Sequence, residues 1–328
     1  MKHLLSIEDV TRADIERLLA RAESFAEISG RPIKKVPALR GRTIINLFYE
    51  ASTRTSSSFE LAAKRLSADV ISVKSSGSSV EKGESLKDTV QTLSAYDPSA
   101  IVIRSPHAGA ANMIARWTPA SVINAGDGKH EHPTQALLDL YTLKRRIGSL
   151  EGTRIWIVGD VLHSRVARSN VLAFTKMGCT VTVCGPPTLI PRGIEQLGCD
   201  VRYSLDGIEH ADVIYALRMQ RERMEGAFVP SLREYASCFQ IDGRRLRPHQ
   251  LLMHPGPVNR GVELSAEAID SPQALITQQV ESGVVVRMAV LFEVLSGSGA
   301  DVPNAERAPH PIRDRDPDPA GAPMGGAA

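Results

Sequence analysis

The sequence predicts an α/β protein built as two doubly wound domains, each a parallel sheet flanked by helices, with interdomain helices joining them. Three observations lead there. Short apolar runs alternate with helical or loop segments in two successive sets. A long helical pattern stands between the sets and is followed by the linker Gly148-Ser149-Leu150-Glu151-Gly152. The 328 residues are ample for two domains of ordinary size.

The elements follow in order. Residues 7–26 read as an amphipathic helix with Ile7, Val10, Ile15, Leu18, Leu19 and Phe25 as apolar positions. Strand-like runs recur at 43–48, 70–73, 100–104 and 121–124. Val122-Ile123 reads as a strand end and Gly126-Asp127-Gly128 as a tight loop. Pro133 fits the first position of a helix reaching about Ile147, with Ala136, Leu137, Leu140 and Leu143 on its apolar face. That helix is long enough to bridge two domains. The second set of strands is expected at 154–158, 180–183, 200–203, 213–215 and 251–253, and a last helical stretch from Pro272 to about Leu295. Beyond Pro303 the chain turns to Pro, Asp, Arg, Ala and Gly; residues 304–328 cannot bury a core and are expected to be a disordered tail with no assigned function.

Composition excludes several classes. A 42% hydrophobic and 23% charged content is that of a soluble globular protein. The net charge of +2 gives no argument for nucleic acid; Lys144-Arg145-Arg146 and Arg244-Arg245-Leu246-Arg247 read as solvated faces or helix ends. No run approaches a membrane span and Met1-Lys2-His3 does not open a signal peptide, so the cytoplasm is the expected location. Cys179, Cys184, Cys199 and Cys238 lack paired C-x-x-C spacing, which argues against a zinc site or disulfide framework; Cys179 and Cys184 read as core. No metal or cofactor is expected.

Two clusters carry chemistry. The run 43–48 enters a polar turn, and from Ser52-Thr53-Arg54-Thr55 a helix leaves with Phe59, Ala62, Ala63 and Leu66 on one face. Ser52 or Thr53 can cap it, gathering free N–H groups, the positive end of the helix dipole, three hydroxyls and a guanidinium at one point. That suits a phosphate dianion; an ordinary capped helix with a solvated arginine fits the same residues. The second cluster is His130-Glu131-His132-Pro133-Thr134-Gln135. His132 and Gln135 stand where a helix follows a strand, the end of an open α/β sheet that binds ligands; alone, His132 also fits a capping or loop histidine.

Together the two clusters resemble the aspartate/ornithine transcarbamylase family, whose members move a carbamoyl group from carbamoyl phosphate to an amine. The resemblance covers residues 3–303. Val158-Gly159-Asp160-Val161-Leu162-His163-Ser164-Arg165 lacks the G-x-G-x-x-G of a dinucleotide fold. With Tyr215-Ala216-Leu217-Arg218-Met219-Gln220 and Met253-His254-Pro255-Gly256-Pro257-Val258-Asn259-Arg260-Gly261, it is similar to the aspartate branch. The ornithine branch carries a His-Cys-Leu-Pro segment, and His254-Pro255-Gly256-Pro257 has no Cys. A dicarboxylate also calls for two fork-shaped cations held apart, although Arg218 alone fits a surface ion pair.

The resemblance implies the following. Ser52, Thr53, Arg54 and Thr55 bind the phosphate, joined by Arg104. Thr55, Arg104 and His132 donate to the carbamoyl oxygen, Gln135 accepts from the carbamoyl NH₂, and backbone carbonyls at Pro255 and Gly256 contact the same amide. Many members carry Leu at the position of Gly256. Arg165, Arg218 and Gln220, with Lys82, hold L-aspartate. Ser78, or Ser79, and Lys82 belong to a loop that enters the neighbouring subunit's site, so the working unit is a homotrimer with shared active sites. The implied catalytic set is Arg54, Thr55, Lys82, Arg104 and His132. The implied domains are a carbamoyl-phosphate-binding domain over 1–135, completed by a C-terminal helix at about 285–303, and an aspartate-binding domain over 150–284. Relatives assemble further with a regulatory chain or with dihydroorotase; the His-Pro-Gly-Pro-Val-Asn-Arg-Gly form looks more like the latter group. An amine acceptor other than aspartate, such as ornithine, is the alternative.

Overall fold

The computed structural model describes residues 1–74, 83–220, 224 and 228–296. The first helix, α1 (Arg12–Ser29), begins five residues later than the apolar pattern predicts. Thr11 and Asp14 form a reciprocal capping box that fixes the start, and Ile7 and Val10 are buried in the turn before it.

Strands β1 (Thr43–Phe48), β2 (Asp69–Lys74), β3 (Ala100–Ser105) and β4 (Ser121–Asp127) form an all-parallel sheet of order β2-β1-β3-β4. Helices α2 (Thr53–Arg65), α3 (Leu86–Ser94) and α4 (Ala110–Trp117) connect them. β1, β3 and β4 are buried almost throughout, which is why they read as continuous apolar runs. β4 outruns its prediction: the expected Gly126-Asp127-Gly128 loop begins only after Asp127. Gly126 has φ +118°, and a Cβ there would stand 3.1 Å from Arg165 Nε, so the glycine makes room for that side chain.

α5 (Pro133–Ile147) has the predicted bounds and is buried from Pro133 through Leu143. The second sheet holds β5 (Arg154–Val158), β6 (Thr180–Cys184), β7 (Asp200–Arg202), β8 (Val213–Ala216) and β9 (Leu251–Met253), all parallel, in the order β7-β6-β5-β8-β9. Helices α6 (Arg165–Lys176), α7 (Leu232–Phe239) and α8 (Ala266–Ile269) belong to this half. α9 (Ile276–Ser296) returns to pack on α1, α2 and α5. It starts four residues after Pro272, which lies in a turn.

Strand order sets where ligands can go. The chain reverses its direction of winding between β1 and β3 in the first sheet and between β5 and β8 in the second. At such switch points the loops beyond the strand C-termini part and leave a crevice. The segments after β1 and β4 carry Ser52–Thr55 and His132, and Arg104 stands at the C-terminal end of β3; the segments after β5, β8 and β9 carry Arg165, Arg218 and His254.

Candidate active site

Both crevices open on one cavity of about 510 Å³. It is lined by Ser52, Thr53, Arg54, Thr55, Arg104, His132, Gln135, Arg165, Arg218, Gln220, Pro255 and Gly256, twelve residues singled out from sequence. Ser78, Ser79 and Lys82 lie outside the described residues.

The turn expected to bind phosphate differs in one respect from expectation. Ser52 is the N-cap of α2, but neither its hydroxyl nor that of Thr53 is used as a cap. The first intrahelical bond runs from Ser56 N to Ser52 O at 3.0 Å, so the amides of residues 53–55 have no intrahelical acceptor. Uncapped amides, with the Ser52 and Thr53 hydroxyls not spent as caps, make a stronger anion site than a capped turn would.

Among the described residues, five guanidinium groups line the cavity, those of Arg54, Arg104, Arg165, Arg218 and Arg287, against a single lining carboxylate, Glu50. Arg165 donates to Glu50 through both terminal nitrogens, at 2.9 and 2.6 Å, and to the Gly128 carbonyl at 3.2 Å. Arg104 donates to Glu50 at 3.3 Å, to the Ala125 carbonyl at 3.4 Å and to Thr55 Oγ1 at 3.5 Å. Glu50 thus ties the turn after β1 to the first residue of α6 across the two halves. Burial, then repulsion from Arg218, lowers the Arg54 pKa from its ordinary value. Arg287 is fully buried, donates to Ser58 Oγ and the Gly283 carbonyl, and lies 5.1 Å from the Phe59 ring centroid; burial brings its pKa down to about 10.

His132 caps α5 by position, and its backbone N–H donates to Ser169 Oγ at 2.8 Å. Burial first, then Arg104, Arg287 and Arg165, holds its imidazole well below the usual pKa, and Nδ1 has no partner among the described residues. The ring is therefore neutral and donates a single N–H. Gln135 spends its amide nitrogen on Asp139 Oδ1 at 3.0 Å, which leaves its carbonyl oxygen as the acceptor.

The Pro255-Gly256 turn is held from beneath. His254 Nδ1 accepts from Gly256 N at 2.8 Å, which puts its proton on Nε2, 3.2 Å from Glu263 Oε1. Gly256 has φ +61°, and a Cβ there would overlap the Arg54 guanidinium. The glycine lets Arg54 lie against the turn, a placement that a leucine would displace. Gln220 is anchored by its backbone N–H on Asp160 Oδ2 at 3.2 Å.

Sequence reading missed Glu50, Asp139, Gln279 and Arg287. A signal existed for Glu50, two residues before Ser52, and for Arg287, the one charge in the apolar run Val284-Val285-Val286-Arg287-Met288-Ala289. For Gln279 and Asp139 the partners come from distant segments, and nothing local marks them.

Two winding reversals facing one cation-lined cavity define a two-sheet α/β protein built to seat polyanions. The chain belongs to the aspartate/ornithine carbamoyltransferase family: residues 2–145 match its carbamoyl-P binding domain and residues 151–294 its Asp/Orn binding domain. It is 56% identical over 301 residues to the aspartate carbamoyltransferase catalytic subunit of Acidothermus cellulolyticus, covering 90% of this chain and 93% of that one. With the corresponding subunit of Salinispora arenicola it shares 54% over 305 residues, 91% and 99% of the two chains. Among solved structures it is similar to the catalytic subunit of M. jannaschii aspartate transcarbamoylase, with TM-score 0.80, 35% identity and coverage of 92% and 100%. It is also similar to aspartate transcarbamoylase from Trypanosoma cruzi in complex with N-(phosphonacetyl)-L-aspartic acid, with TM-score 0.80, 32% identity and coverage of 90% and 96%.

Proposed function

We propose that this chain transfers the carbamoyl group of carbamoyl phosphate to the α-amine of L-aspartate, giving N-carbamoyl-L-aspartate and phosphate, as a step of pyrimidine biosynthesis. The observation that carries this is the charge of the cavity: among the described residues, five guanidiniums against one carboxylate, spread over both sheets. That arrangement fits a phosphate at one end and a dicarboxylate at the other. An ornithine side chain would need a carboxylate facing its ammonium, and Glu50 is engaged by Arg165 and Arg104.

The roles are those that the family resemblance implies, and the shared cavity supports them. Ser52, Thr53, Arg54 and Thr55 take the phosphate with the free amides of α2. Thr55, Arg104 and His132 donate to the carbamoyl oxygen, and Gln135 accepts from its NH₂, with the Pro255-Gly256 carbonyls on the same amide. Arg165, Arg218 and Gln220 hold aspartate. The unprotonated amine attacks the carbamoyl carbon, the C–N bond forms as charge gathers on the carbamoyl oxygen, and the C–O bond to phosphate then breaks. The departing phosphate takes the amine proton, so no protein base is required. Catalysis is then positioning, worth roughly 7–11 kcal/mol, plus oxyanion donation at about 2.7–4 kcal/mol per donor.

The domain limits 1–135 with the helix from about 285, and 150–284, are part of this reading; the packing of α9 on α1, α2 and α5 supports them. So are a cytoplasmic location and a homotrimer in which Ser78 and Lys82 complete a neighbour's site, with a regulatory chain or dihydroorotase as further partners. Among the described residues no helix is long and apolar enough to cross a membrane.

Purified protein supplied with carbamoyl phosphate and either amino acid tests the assignment. Carbamoylated aspartate is the expected product; turnover with ornithine and none with aspartate overturns it. Arg54→Ala should lower turnover by about 10²–10³-fold, and near-normal turnover would refute the phosphate role.

A further inference from the structure

The carboxylate of Asp139, on α5 one turn beyond Gln135, is fully buried and receives four hydrogen bonds. Oδ1 accepts from Gln135 Nε2 at 3.0 Å and Gln279 Nε2 at 2.7 Å; Oδ2 accepts from Asn170 Nδ2 at 3.0 Å and the Tyr215 hydroxyl at 2.7 Å. The donors come from α5, α9, α6 and β8, so one side chain joins both halves of the molecule beneath the cavity. A leucine or methionine would fill this space without the cost of burying a charge. What an apolar residue cannot do is dictate which end of a neighbouring amide faces it.

An ionised carboxylate only accepts, so all three amides must present NH₂ to it. Asn170 does so although its own carbonyl oxygen is left buried with no partner among the described residues. Gln279 does so while its carbonyl accepts from His254 N at 3.0 Å, steadying the segment that leads into Pro255-Gly256. Gln135 and Gln279 both also line the cavity; the Gln279 carbonyl is taken by His254 N, so the Gln135 carbonyl is the one left to the cavity.

We propose that Asp139 is the positioning residue that fixes the polarity of the Gln135 amide. It holds the NH₂ on itself and leaves the carbonyl oxygen to the cavity, so that the site selects an acyl phosphate bearing NH₂ on its acyl carbon over one bearing CH₃. The inference rests on the proposed reaction and deepens it by naming what discriminates carbamoyl phosphate from acetyl phosphate, which has the same phosphate and carbonyl.

The test is the ratio of the two dissociation constants, measured calorimetrically with carbamoyl phosphate and acetyl phosphate on the assembled protein. In Asp139→Asn the side chain keeps its shape but offers its own NH₂, so the enforced orientation is lost. Affinity for carbamoyl phosphate should fall about tenfold, the scale of one hydrogen bond exchanged for a mismatch, while that for acetyl phosphate holds. A general structural disturbance would weaken both ligands alike. An unchanged ratio in a folded variant overturns the proposal; wild-type protein that binds neither ligand overturns the proposed function instead.

If the variant does not fold, the wild-type ratio is read from pH 5 to 8. Burial, working against its four hydrogen bonds, pushes the Asp139 pKa up to about 6. Protonation there turns one oxygen into a donor. Of the other groups facing it, the Tyr215 phenol on β8 is pushed well above 10 and Arg287 on α9 is lowered only to about 10. His132 at the head of α5 stays well below 6.5, and α6 presents the amide of Asn170. The ratio should narrow as pH falls through about 6, and a ratio constant across the range overturns the proposal.

Discussion

The Glu50 carboxylate grips Arg165 through both terminal nitrogens and reaches Arg104 as well. Arg165 is only 4% exposed, so this carboxylate is what balances its charge. Glu50→Gln keeps the shape but offers one acceptor where two are used, and it places an NH₂ against a guanidinium. The expected outcome is a fall of about tenfold or more in kcat/KM for aspartate, with carbamoyl phosphate binding less affected, because Arg165 is left without a fixed orientation. Steady-state kinetics with each substrate varied in turn checks it; unchanged kinetics would deny Glu50 any part in holding the acceptor side. Residues of this kind also mark the limit of sequence reading. Arg54, Arg104, Arg165 and Arg218 were legible because they stand in local motifs that resemble the family's; each arginine alone also fits a solvated or ion-paired side chain. Asp139 was not, since its meaning depends on Asn170, Tyr215 and Gln279 arriving from segments 31, 76 and 140 residues away.

At the scale of elements, strands were read closely and helix starts less so, for a physical reason. A strand buried on both faces announces its length by its apolar run, whereas a helix begins where its first amides find acceptors, which can be one side chain. α1 illustrates this. Its apolar pattern begins at Ile7, yet the helix begins at Arg12 because Thr11 Oγ1 takes Asp14 N and Asp14 Oδ2 takes Thr11 N. Thr11→Ala should therefore cost about 1 kcal/mol of stability, seen as a thermal midpoint lower by roughly 2–4 °C. Asp14 adds a pH signature. The Thr11 hydroxyl and Arg17 hold its carboxyl down, at about 2, below the ordinary 3.8. Its folded-state pKa is depressed, so its contribution is complete above the unfolded value and is lost as pH falls from about 4 toward 2. Unfolding midpoints for wild type and Asp14→Asn should converge over that interval, and parallel curves would remove the cap from the account.

At the scale of the whole molecule, the sequence placed two alternating sets of strands and the helix between them. That the last helix returns to the first domain came from the resemblance and not from its own pattern, because an apolar helix does not name its partner; in the structure α9 packs on α1, α2 and α5. The same limit applies between chains. In the proposed homotrimer, a closed three-fold ring, Lys82 serves a neighbouring cavity, so each site would take Arg54 from one chain and Lys82 from the next. That arrangement makes a numerical prediction. Lys82→Ala and Arg54→Ala chains should each be inactive alone. Mixed in equal amounts, dissociated and reassembled at random, a site is intact only where an Arg54-bearing chain meets a Lys82-bearing neighbour in the right direction. This holds for about one site in four in a randomly filled ring. Activity near a quarter of wild type after mixing is expected, and it should vary as the product of the two mole fractions when the proportion is changed. If mass measurements show mixed trimers while activity stays at the level of the parents, the cavity described here is served by its own chain alone.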